Sequence, residues 1–284
     1  MRANHYDRAP TGPVMDLLGD QAVLQNNALG GKTALICGAS RGIGAATARI
    51  MAKAGASVIL ASRNEEQLNS LLNELTELGS GHHQTLVMDL ENTEGIAESV
   101  QPVLEMGPIH ILVNNAGGPP GGPLLNATVE ELAQPFTRHL HASHTLVKLL
   151  TPGMIMANYG RIIQIISTSV REPIPNLGVS NTLRGAMASW AKSLSRELHP
   201  SITINNVLPG FTDTERLGSL AQSIHERTGQ SIEAIHDGWM SQVPIERLID
   251  PLETASVIAF LASPAAGAIR GVSLPVDGGR LRSI

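Results

Sequence analysis

Aromatic side chains are scarce in this sequence: Phe, Trp and Tyr make up only 2% of 284 residues. A binder of sugars or single-stranded nucleic acid built on stacking platforms needs more rings than that, so the scarcity argues against this class. Cysteine occurs once, as Cys37, which rules out an internal disulfide framework and fits a reducing cytoplasm. No apolar run approaches the ~18 residues that span a bilayer, and the first residues, MRANHYDRAPTGPVM, lack the apolar core of a secretion signal. No membrane partner is expected. Twenty basic and 25 acidic side chains leave a net charge of −5. Without a basic block, nucleic acid is not an expected partner either.

What is present is alternation. KTALICG, SVILASR, HQTLVMDL, HILVNNAG, RIIQIIST, ITINNVLPG and GVSLPVDGG read as seven strands. Between them lie the alanine-rich GIGAATARIMAKAGA and the stretch NEEQLNSLLNELTELG, whose Leu68, Leu71, Leu72, Leu75 and Leu78 form one helical stripe. Further helices are predicted around Ile96 to Leu104, from about Val129 with Pro135 in the first turns, and over Asn176 to His199. Strands apolar on both faces and alternating with helices imply a parallel sheet covered on both sides. The expected fold class is α/β: a single-domain doubly wound Rossmann fold with a mostly parallel seven-stranded sheet, over residues 31–284. An irregular or partly helical leader, 1–30, precedes it. Residues 211–247 read as an inserted pair of short helices, a lid above the strand ends. Leu217, Leu220 and Ile224 give it one apolar face, and Ile232, Ile235 and Trp239 a second, to line a pocket or to pack on the body.

The first strand runs into GASRGIG, with Gly38, Gly42 and Gly44, and directly into a helix. Strand, glycine loop and helix in that order are the context of a dinucleotide site. The backbone can approach a pyrophosphate, and the helix N-terminus offers free N–H groups. The second strand ends in Ala61, Ser62 and Arg63, where an acid would accept from the ribose 2′-hydroxyl of NAD. Ser62 can donate to a 2′-phosphate and Arg63 can pair with it, with Arg41 as a second cation. NADP(H) is therefore favoured over NAD(H).

Over roughly residues 29–284 the sequence resembles the short-chain dehydrogenase/reductase family, in a divergent subgroup similar to β-ketoacyl-acyl-carrier-protein reductases. The resemblance is carried by the glycine spacing at 38–44, Asp89, Asn114-Asn115-Ala116-Gly117, GRIIQIIS ending in Ser167, Pro209-Gly210 with Thr212, and Val276-Asp277-Gly278-Gly279. It implies an NAD(P)H-dependent oxidoreductase that moves a hydride between nicotinamide and a carbonyl or alcohol, assembled as a homodimer or homotetramer. Implied cofactor residues are Gly38, Ser40, Arg41, Gly42, Ile43 and Gly44 in the loop, with Ser62 and Arg63. Asp89, at the adenine, and Leu90 follow, then Asn115, Ala116 and Gly117, Arg184 at the nicotinamide ribose, and Pro209, Gly210 and Thr212 near the nicotinamide amide.

The family's catalytic set is serine, tyrosine, lysine and asparagine. Ser167 takes the serine place, but Ser180 stands for tyrosine, Arg184 for lysine and His139 for asparagine. Tyr6 and Tyr159 do not fit the missing role. An aliphatic hydroxyl is far less acidic than a phenol, so Ser180 polarises a carbonyl rather than protonating it. Arg184, one helical turn on, clamps ribose hydroxyls, but a guanidinium with a pKa above ~12 shuttles no protons. In the expected scheme Ser167 and Ser180 polarise the carbonyl while a water relay delivers the proton, with His139 titrating near neutral pH. The other reading is a catalytically silent NADP(H)-binding sensor or structural subunit.

Some features are expected to be structural. His139, His141 and His144 share no helix face, so no metal site is predicted. His82 and His83 are expected to be solvated, and Arg171 and Glu172 to form a surface ion pair or meet the substrate. Ala186, Ala188, Trp190 and Ala191 are expected to give an outer helix surface for assembly.

Overall fold

The computed structural model describes residues 27–79 and 81–283, so nearly all of the expected leader lies outside the described residues. The strands are β1 (Thr33–Cys37), β2 (Ser57–Ser62), β3 (Gln84–Val87), β4 (Ile111–Asn114), β5 (Gly160–Ile165), β6 (Ile202–Pro209) and β7 (Ser273–Val276). They form one sheet in the order β3-β2-β1-β4-β5-β6-β7. The expected α/β class holds, and every pairing is parallel rather than most of them. Each strand stops short of its apolar run in the sequence. Asp89, Asn115 to Gly117 and Ser167 therefore fall in loops beyond the carboxyl ends.

Parallel neighbours need crossovers, and these bury the two faces of the sheet. On one face pack α1 (Gly42–Lys53), α2 (Glu65–Leu78) and α9 (Pro251–Ala262), through Ile50, Leu68, Leu71, Leu75 and Ile258. On the other lie α3 (Ile96–Glu105), α5 (Ala142–Met156) and α6 (Gly178–Glu197), through Val100, Leu146, Leu150 and Ala191. Sequence reading missed α9, although its start is written in the chain. Asp250 accepts from the Leu252 N–H at 2.7 Å, Glu253 accepts from the Asp250 N–H at 2.8 Å, and Pro251 occupies the first turn.

The long helix expected from Val129 is interrupted. α4 (Val129–Phe136) contains Pro135 and gives way to a π-helical turn, Thr137–His141, before α5. A proline inside a helix removes one ladder hydrogen bond and crowds the preceding turn, and the wider turn accommodates this. The turn points His139 inward, while His141 and His144 are exposed.

Three structural expectations are corrected. Ala191 is 1% exposed and lies in the core, so it belongs to no outer face of α6, whereas Ala186 and Ala188 are half-buried. His83 is half-buried, its Nδ1 accepting from the Val58 N–H at 3.3 Å, and burial lowers its pKa. Arg171 and Glu172 do not pair with each other. Arg171 donates to the Ser273 carbonyl at 3.1 Å, and Glu172 accepts from the backbone of Arg282 at 2.8 Å and of Ser283 at 3.1 Å, which ties down the C-terminal segment.

Candidate active site

Strand order reverses between β1 and β4, and ligands of open α/β sheets bind at such a point, beyond the carboxyl ends. Here a cleft of about 1160 Å³ opens, larger than the ~300–1,000 Å³ of a typical small-molecule site. Of the sequence-predicted residues, all but Gly44 and His139 line it.

One end is built from backbone. Gly38 has φ +59, and a Cβ there would stand 2.6 Å from the Asn115 carbonyl oxygen. A Cβ on Gly44 would come within 2.2 Å of the Gly38 carbonyl. Gly44 thus lets the loop fold onto itself rather than facing a ligand, and Asn115 Nδ2 donates to the Gly38 carbonyl at 3.1 Å to hold it there. The residue before α1, Arg41, is extended and no side chain caps the helix, whose first turn holds no acid. The free amides and positive helix end beside Gly42 and Ile43 suit an anion. Arg41 pairs with Glu215 of the lid, and Arg63 lies 3.9 Å from Asp89. Both guanidiniums are mainly exposed, where the bare pairs are weak.

The other end is built from side chains. Ser167 Oγ accepts from the Ser169 N–H at 3.1 Å, which fixes its rotamer and leaves its proton to donate. Ser180 lies in the first turn of α6, where the neighbouring Asn181 holds the preceding loop, accepting from the Ile174 N–H at 3.3 Å and donating to its carbonyl at 2.9 Å. Arg184 follows one turn later, 6% exposed, donating from Nη1 to the Ile165 carbonyl at 3.1 Å. Burial, and then Arg216, lower its pKa to about 10. This corrects the expected value above 12, yet the group remains cationic at neutral pH.

His139 lies behind Arg184, not in the cleft. Arg184 Nη1 stands 3.4 Å from His139 Nδ1, and His139 Nε2 stands 3.0 Å from the Gly117 carbonyl. That network sets the tautomer: Nδ1 accepts and Nε2 carries the proton. Burial first, then Arg184, hold its pKa well below the usual histidine range. The expectation that His139 titrates near neutral pH is therefore overturned; the ring stays neutral and braces the guanidinium.

Sequence reading also missed four arginines that line the cleft, Arg138, Arg216, Arg227 and Arg280. Arg216 opens the lid helix α7 (Glu215–Thr228) and donates to the Pro119 carbonyl at 2.7 Å. Arg280 donates to Thr168 Oγ1 at 3.1 Å, with its guanidinium 5.0 Å from the Phe211 ring. The expected pair of short helices is present, α7 with α8 (Ile232–Met240). Leu217, Leu220, Ile224 and Trp239 face the cleft, while Ile232 and Ile235 only pack within the lid. Cys37 lines the floor, but burial pushes its thiol up to about 12 and leaves it inert. The Tyr159 hydroxyl donates to the Ala262 carbonyl at 2.5 Å, far along the fold from the cleft residues, so it supplies no missing phenol.

Fold and cleft together define a class, a Rossmann-type α/β protein with a cleft at the carboxyl rim of its sheet. Residues 38–280 match the family model described as enoyl-(acyl carrier protein) reductase. A 3-oxoacyl-acyl-carrier-protein reductase of Vibrio cholerae is 35% identical over 255 residues, 88% of this chain and 98% of that protein. The L-sorbose reductase of Gluconobacter frateurii, solved with NADPH and L-sorbose, superimposes with a TM-score of 0.85 at 28% identity, covering 92% of this chain and all of that one. A 3-oxoacyl-acyl-carrier-protein reductase of Agrobacterium tumefaciens, solved with NADP, gives 0.79 at 27% identity, over 88% of this chain and 95% of that one. The chain belongs to the short-chain dehydrogenase/reductase family of oxidoreductases, among its ketoacyl-reductase-like members.

Proposed function

We propose that the protein is an NADP(H)-dependent reductase of a carbonyl substrate, 3-oxoacyl-reductase-like in scaffold, in which Ser180 and Arg184 stand in for tyrosine and lysine. The observation that carries this reading is the convergence of Ser167, Ser180 and Arg184 on one cleft with an uncapped helix N-terminus. The cofactor fits the residues present. The glycine loop has no room for a Cβ at Gly38, the free α1 amides suit a pyrophosphate, and Ser62, Arg63 and Arg41 offer donors to a 2′-phosphate. Asp89 and Leu90 would hold the adenine, Asn115 to Gly117 the middle, and Pro209, Gly210 and Thr212 the nicotinamide amide. Likeness to reductases solved with NADPH or NADP adds support.

When bound, the cofactor supplies a hydride to the carbonyl carbon. The protein's part is polarisation and charge. Ser167 and Ser180 donate hydrogen bonds to the carbonyl oxygen, which strengthen as negative charge builds there. Arg184, still cationic at neutral pH although burial and Arg216 lower its pKa, and braced by His139, clamps the nicotinamide ribose and stabilises that charge. The proton reaches the alkoxide from solvent through water in the cleft, since neither serine is acidic enough and His139 stays neutral.

The test is NADPH oxidation across a panel of ketones, aldehydes and 3-oxoacyl thioesters, with Ser167→Ala and Ser180→Ala. Turnover that drops about 100-fold in either variant, with NADPH affinity kept, supports the scheme. Tight NADPH binding without oxidation of any carbonyl favours the silent sensor or structural subunit instead.

A further inference from the structure

The substrate end of the cleft gathers cations without carboxylate partners. Arg41, Arg63 and Arg138 have Glu215, Asp89 and Glu91 opposite them. Arg184, Arg216 and Arg280 have no carboxylate partner among the described residues. A Cβ on Gly118 would lie 3.6 Å from Nη2 of Arg184 and equally 3.6 Å from Nη2 of Arg216, so both guanidiniums reach one point. Arg184 is more than nine-tenths buried, and its Nε donor has no partner. Arg280 approaches from beside Thr168, next to the reacting Ser167, and its Nε is likewise buried and unpartnered. Arg184 and Arg216, brought together in a partly desolvated site, repel each other, and the unpaired buried Nε donors of Arg184 and Arg280 are costly, unless an anion joins them.

We infer that the substrate carries a carboxylate close to its reacting carbonyl, received by the guanidiniums of Arg184, Arg216 and Arg280, so that the substrate class is a small oxo acid. This deepens the reductase reading and rests on it. A planar carboxylate matches the guanidinium fork and removes the repulsion. A neutral ketone or a 3-oxoacyl thioester brings no charge to this point. The cofactor's own phosphates are provided for elsewhere, at the α1 N-terminus and at Ser62 and Arg63.

The experiment compares 2-oxobutanoate and 3-oxobutanoate with their methyl esters as substrates of the full chain with NADPH. Calorimetry with oxamate on the NADPH complex is run alongside. The acids are expected to exceed their esters at least about 30-fold in kcat/KM, and Arg216→Gln or Arg280→Gln to erase that preference with NADPH affinity within about twofold. Arg280→Lys is expected to restore part of it, which loss of folding would not allow. Oxamate binding that weakens in both glutamine variants supports the inference even if nothing turns over; the failure would then lie with the reductase reading. Equal use of acids and esters, with no oxamate binding, overturns it. So does a loss of NADPH affinity in the variants as large as their loss of activity, since the cations would then serve the cofactor.

Discussion

The two ends of the cleft are made of different material. At the glycine-loop end the geometry is backbone: Gly38 and Gly44 pack against carbonyls, and the α1 amides are left free. At the lid end it is long side chains, with Arg184 braced by His139, Arg216 on the Pro119 carbonyl and Arg280 on Thr168. Backbone sites tolerate drift in side chains but not an added Cβ. Side-chain sites are less constrained: under the proposed reading, serine and arginine there keep the hydrogen-bonding and charge of tyrosine and lysine. The contrast teaches where this chain has room to change its chemistry.

Breaking the backbone end is expected to have the largest effect. Gly44→Ala places a methyl 2.2 Å from a carbonyl oxygen, and thermal unfolding should register a loss of at least about 3 kcal/mol together with NADPH binding. An unchanged transition would remove the packing argument. Next, Arg184→Met removes the clamp and leaves the Ile165 carbonyl and His139 without their donor. Steady-state kinetics should give about a 100-fold fall in kcat/KM, near 2.7 kcal/mol, with Arg184→Lys recovering only part. Arg63→Glu sharpens the comparison at the opposite end. NADPH affinity should drop about 30-fold, or ~2 kcal/mol, while NADH affinity changes little, because the new carboxylate meets only a 2′-phosphate.

His139 gives a smaller, pH-dependent effect. Its folded pKa lies below that of the unfolded chain, so below the ordinary histidine value near ~6.5 the unfolded chain takes up the proton first. Stability is full above that value and falls as pH drops through it, by up to about 1.4 kcal/mol per pH unit for this group. Denaturant titrations from pH 8 to 5 should show that fall, shallower in His139→Gln. His83 and His110, shifted in the same direction by burial, leave a residual slope. Glu215→Gln, which frees the exposed Arg41, is expected to change stability by less than ~0.5 kcal/mol in the same assay.

The backbone end was legible in the sequence because glycine spacing, strand runs and the helix start are local signals. The parallel sheet followed from strands such as GRIIQI, buried at every position. The lid end was legible only as identities. That Ser180 and Arg184 share a face follows from helix spacing, but the burial that lowers Arg184 and silences His139 depends on the π-helical turn after Pro135. A proline signals a break, not the direction in which the next histidine points. Arg216 and Arg280 escaped notice because a long side chain's aim is set by tertiary neighbours, Pro119 and Thr168, distant in the chain. α9 was missed although its Asp250-Pro251-x-Glu253 start is a local signal of the same kind.

Calorimetric titration of the purified chain with NADPH and with NADH tests most directly whether the rim between β1 and β4 receives a phosphorylated dinucleotide. Saturable NADPH binding at least about tenfold tighter than NADH is the predicted result. Binding of neither nucleotide, or of both equally, would contradict it.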